Sequence, residues 1–183
     1  MLNNGQLKMM KNKKTDFEAR FWSGTRKHSA IGLLEAFFQF NDLGEVKETL
    51  SMMLQCSVQQ KARIRKEPAE IFHLYQSLRS LVRASRLIGG KAKKEMFSAS
   101  EKIPLIIPNS LSKEEYQNPV RVFRNAFKVC SLKEFDEFLS AMVYFSLGNS
   151  RCDEGKSIII PYLQLTKMLD AAWLIVVRIT AGK

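Results

Sequence analysis

The stretch "EPAEIFHLYQSLRSLVRASRLIGG", residues 67–90, constrains the fold of this chain more than any other. At about 100° per residue, Ile71, Leu74, Tyr75, Leu78, Leu81, Val82 and Ile88 fall within an arc of roughly 140°. That is the apolar stripe of a long helix laid against a core. Pro68 suits the first turn, where a missing N–H costs nothing, and Glu67 and Glu70 complement the dipole there. Gly89 and Gly90 supply a stop.

Such a stripe needs partners, and the neighbouring segments share its period. "KHSAIGLLEAFFQF", Lys27 to Phe40, is helical in pattern, apolar at Ala30, Ile31, Leu34, Phe37 and Phe38. Asp42 and Glu45 have capping-box spacing and restart a helix with Val46, Leu50, Met53, Leu54 and Ser57 along one face. The break at Asn41-Asp42 makes an antiparallel hairpin of these two. Residues 91–118 then change texture, with Pro104 and Pro108 among small polar residues, and read as a long connection with an extended piece at "IPLIIP". Helices resume with Asn118 as N-cap and Pro119 as the first helical residue. Ser131 and Glu134 form a capping box, and Gly148 ends that helix. The last segment, from Pro161, is apolar on most sides after Asp170 and reads as a central helix.

The expectation is an all-α protein, a bundle-like domain of roughly six helices. Residues 27–90 and 119–183 form two helical subdomains packed together and joined by 91–118. Residues 1–26 are a basic, partly disordered tail in which Phe17, Phe21 and Trp22 dock as anchors. A chain of 183 residues buries roughly 70% of its unfolded surface, enough for a core without staples. Cys56, Cys130 and Cys152 lack metal or redox spacing and read as reduced thiols of a cytosolic protein. The N-terminus has no apolar stretch of a secretory signal. The longest apolar run, "AAWLIVV", is far short of the roughly 20 residues of a membrane span. The expected setting is therefore intracellular and cytoplasmic, with no transmembrane segment.

Catalytic signatures are scarce. Gly155-Lys156-Ser157 matches the end of a phosphate-binding loop, but the loop's first glycine is replaced by Ser150. A capped helix precedes it where a strand belongs, and Asp153 and Glu154 would repel phosphate. It reads as a turn between helices. His28 and His73 are the two histidines, and nothing in the sequence brings them together. Glu114-Glu115, Asp136-Glu137 and Asp153-Glu154 are adjacent pairs, which on a helix point about 100° apart and do not converge on a metal. No cofactor or metal site is expected, and the protein reads as a non-catalytic binding protein.

Charge carries the functional argument. The net charge is +11, and residues 1–102 hold 19 basic and 10 acidic side chains, so the excess lies in the first half. Between Ile71 and Lys94 stand Arg79, Arg83, Arg86, Lys91, Lys93 and Lys94 without one acid. Arg79, Arg83 and Arg86 fall within about 60° of one another, with Phe72 and Gln76 on the same side. Upstream, "KARIRK" adds Lys61, Arg63, Arg65 and Lys66. These ten residues are the candidate contacts to nucleic acid or another anionic partner through phosphate neutralisation. The alternative is a helical protein-interaction or scaffold module, including a homodimer, with no role on nucleic acid. A small enzyme whose site only the fold would show is a third reading.

Overall fold

The structure is a computed structural model that describes residues 13–59, 64–91, 110–148 and 155–181. The protein is all-α. The described residues form seven α-helices: α1 (Ala30–Phe40), α2 (Leu43–Val58), α3 (Pro68–Lys91), α4 (Lys113–Gln117), α5 (Val120–Val129), α6 (Leu132–Leu147) and α7 (Gly155–Ala181). A small N-terminal hairpin precedes them: β1 (Thr15–Asp16), a 3₁₀ turn (Ala19–Phe21) and β2 (Lys27–His28). Its strands run antiparallel, pairing Thr15 with His28 and Asp16 with Lys27.

Two helices organise the packing. α7 touches all six others, and α3 lies against α1, α5, α6, α7 and the 3₁₀ turn. Their shared core holds Ile71, Leu78 and Leu81 of α3, Phe37 of α1, Phe123 of α5, Phe135 of α6, and Leu169 and Ile175 of α7. One contiguous cluster thus draws on both halves of the chain. α7 between Ile158 and Ala181 is long and apolar enough to cross a membrane, and 56% of its most apolar window is buried within this core. After Asp170, Ala171, Ala172, Leu174, Ile175 and Ile179 are buried in this core, while Trp173, Val176 and Val177 are half-buried.

Several boundaries differ from expectation. α1 begins at Ala30 because Ser29 caps it, its hydroxyl accepting from the Gly32 N–H at 2.9 Å. Lys27 and His28 are pulled into β2 instead. Phe17, Ala19 and Trp22 are buried as anchors, but Phe21 is 64% exposed. Ser80 of α3 fastens this segment: its hydroxyl accepts from Trp22 Nε1 at 3.0 Å and donates to the Phe17 carbonyl at 2.7 Å. α3 continues through Gly89 and Gly90 to Lys91. Gly89 is where α5 crosses, since a Cβ there would lie 3.3 Å from Phe123 Cβ.

Within the expected connection 91–118, Ser112 and Glu115 form a capping box that opens α4, and Leu111 and Tyr116 are buried. Asn118 ends α4, its N–H bonded to the Glu114 carbonyl at 3.0 Å, and Pro119 rather than Asn118 is the N-cap of α5. The "IPLIIP" piece lies outside the described residues. α7 starts at Gly155, so Pro161 sits inside the helix instead of opening it. The lost hydrogen bond costs of order 3 kcal/mol, and burial of Ile158 in the preceding turn helps offset it.

Candidate nucleic-acid interface

Six of the ten basic residues are described, and two of these, Lys66 and Arg79, line separate grooves. Lys61, Arg63, Lys93 and Lys94 lie outside the described residues. Arg65 is exposed, and Lys66 donates to Glu45 Oε1 of α2 at 2.5 Å. Lys66 lines a groove of about 380 Å³ with Phe40, Asp42, Glu45, Glu70 and His73. Arg79 lines a different groove, of about 590 Å³, with Asp16, Glu18, Arg20, Phe21, Phe72, Tyr75 and Gln76. The two grooves have no lining residue in common.

α3 carries no acid beyond Glu70, yet its first two stripe arginines are not unpaired. Arg79 Nε donates to Asp136 Oδ1 at 3.2 Å, and Arg83 Nη2 to Asp136 Oδ2 at 3.0 Å. Glu18 faces both, 3.4 Å from Arg79 and 3.7 Å from Arg83. The partners come from the N-terminal hairpin and from α6, remote in sequence, so i±3 and i±4 counting along α3 does not find them. Burial works against a charged Arg79, but Asp136, Tyr75 and Glu18 outweigh it and hold its pKa above the ordinary value. Glu18 reaches this position from a left-handed backbone, φ 62°, the one positive φ outside glycine among the described residues. Its N–H is held by Asp16 Oδ1 at 2.8 Å.

Beyond Arg83 the surface changes character. Arg86 is exposed, its guanidinium 5.4 Å from the centroid of the Phe127 ring on α5. Arg124 of α5 reaches back, Nε donating at 2.9 Å to the Gly89 carbonyl near the end of α3. That bond satisfies one of the last carbonyls of a helix and fixes α5 across it. Arg121, Arg124 and Lys128 fall within about 60° on the side of α5 away from its buried Val122, Phe123 and Ala126. α5 contains no acid, and neither does α3 from Ile71 onward. Arg121 meets Glu114 of α4 at 2.8 Å, with both side chains more than half exposed. Arg86, Lys91 and Lys128 are exposed and have no ion pair among the described residues. The α5 stripe was missed from sequence, although "RVFRNAFK" carries its bases at i, i+3 and i+7, the same signal as α3.

His28 Nε2 lies 2.9 Å from Ser23 Oγ in the hairpin, whereas His73 lines the Lys66 groove. Cys56 and Cys130 are buried thiols, their pKa values raised by burial. Among the described residues no three His, Cys, Asp or Glu side chains converge as metal ligands. No protein-family model matches the sequence, and no curated protein or solved structure matches it.

Proposed function

We propose that this is a non-catalytic binding protein that contacts nucleic acid, by its phosphate backbone, through the surface where α3 and α5 meet. One observation carries the reading: two crossing helices present Arg86, Lys91 and Lys128 outward with no carboxylate on either helix nearby. Exposed cations without acidic neighbours release counterions from phosphate on binding. Arg79 and Arg83 take a lesser part, since Asp136 and Glu18 already offset their charge. Backbone contact is favoured over base-specific readout, because the exposed cations of this surface suit charge neutralisation of phosphate.

The test is anisotropy with labelled random-sequence oligonucleotides over a salt series. Affinity should fall steeply with salt, by a log–log slope of roughly −1 per phosphate neutralised. Arg86→Ala/Lys128→Ala should weaken binding about ten-fold and flatten that slope by roughly two. Absence of binding at low salt would sink the proposal.

A second reading, a protein-interaction module, draws on the exposed aromatic side chains Phe21 and Phe72 beside Arg20 and Arg79, a composition common at interface centres. Capture of one partner that survives nuclease treatment and high salt would favour it.

A further inference from the structure

The outer face of α3 continues past the arginines into aromatic side chains. Phe72, Tyr75, Gln76, Arg79, Arg83 and Arg86 occupy a common arc of about 100° on this helix. Toward its N-terminal half the face forms the floor of the 590 Å³ groove, with Phe21 and Arg20 of the hairpin opposite. Phe21 is 64% exposed and Phe72 49%, whereas Phe17 of the same hairpin is buried. The Phe72 and Tyr75 rings lie 5.6 Å apart at 40°. Arginines back the outer rings, Arg20 at 4.4 Å over Phe21 and Arg79 at 5.4 Å over Tyr75.

We infer that this groove takes an unpaired nucleobase, which makes the partner single-stranded nucleic acid; the inference rests on the phosphate-contact reading above. Stacking on aromatic rings and guanidinium planes is how sequence-tolerant single-strand sites hold bases, because every base has a π-face. The charge pattern assigns the ends of the ligand. Asp16 and Glu18 line the groove and disfavour a phosphate inside it. Along α3, the cations without an ion pair among the described residues begin at Arg86, about 21 Å along the helix from Phe72 at 1.5 Å per residue. A base therefore belongs over the aromatic end while its backbone runs toward Arg86 and Lys128. Gln76 supplies an amide donor and acceptor beside the base edge. Duplex DNA offers no free π-face without unstacking, which costs it this contact.

The experiment compares an oligothymidylate, an abasic strand of equal length and a duplex, all labelled, with the full chain at fixed salt. The unmodified protein should bind oligothymidylate about ten-fold more tightly than the abasic strand, and more tightly than the duplex. Phe21→Ala/Phe72→Ala, which alters two exposed rings, should lose that ten-fold on oligothymidylate and nothing on the abasic strand. Equal affinity for all three ligands, or a double variant indistinguishable from the parent, overturns the base pocket while leaving the Arg86 surface in place. Binding to none of the three at low salt overturns both readings.

Discussion

Asp136 of α6 accepts from two arginines one turn apart on α3, with 3.2 Å to Arg79 Nε and 3.0 Å to Arg83 Nη2. All three side chains are about three-quarters covered, so the contact is neither bulk-screened nor fully desolvated. Asp136→Asn keeps the shape and removes the charge. It should lower stability by about 1–2 kcal/mol in urea denaturation. The same variant should bind oligonucleotide a few-fold more tightly, because Arg79 and Arg83 then keep only Glu18 as a counter-charge among the described residues. An unchanged affinity would show that these arginines face no phosphate.

A second ion pair joins α2 to α7. Lys47 Nζ donates to both carboxylate oxygens of Asp170 at 3.0 Å, and the Ser110 hydroxyl donates to the same group. The Asp170 side chain is wholly buried, whereas Lys47 is 30% exposed. Removing the cation strands a buried anion, so Lys47→Met should cost roughly 3 kcal/mol or more. The double variant Lys47→Met/Asp170→Leu should be more stable than Lys47→Met alone, since no unpaired charge remains. A denaturation series on the three chains separates these outcomes.

The glycines at the end of α3 make a further contrast. A Cβ at Gly90 meets nothing within 4 Å, whereas one at Gly89 meets Phe123 Cβ at 3.3 Å and the Arg124 backbone N at 3.5 Å. Gly90→Ala should stabilise the protein by up to about 1 kcal/mol through helix propensity, less so this close to the helix end. Gly89→Ala gains the same propensity but must push α5 outward, and should fall below Gly90→Ala in thermal midpoint. Equal midpoints would mean that the α3–α5 crossing is loose.

These cases show which parts of the fold were legible in the sequence. Helix periodicity is local, so the stripe of α3 and the capping box at Ser131 could be read directly. Gly89 carried a double meaning, because a stop and a close helix crossing both require a missing side chain, and only the position of Phe123 decides between them. Pro161 misled for a similar reason: its local preference for a helix start yields to the packing of Ile158 one turn earlier. At the candidate site the positive charge was visible, but its neutralisation was not. Glu18 and Asp136 meet Arg79 and Arg83 only through tertiary packing, and no i±4 rule reaches that far.

His28 gives the hairpin a pH dependence whose sign follows from its surroundings. Burial holds its pKa below the ordinary 6.5, outweighing a hydrogen bond to the Thr25 backbone, and the Lys14 charge pushes the same way. The folded chain therefore binds this proton less readily than the unfolded chain, which makes stability rise with pH across the window. The contribution is complete above the unfolded value of 6.5 and is lost as pH falls through the lower folded value. His28→Gln removes the titration while keeping a polar partner for Ser23. Parent and variant should differ most at about pH 7.5, and the gap should narrow or reverse by about pH 5 when urea midpoints are compared. A gap that widens on acidification would place a protonated His28 in the folded hairpin, held by a carboxylate rather than by Ser23.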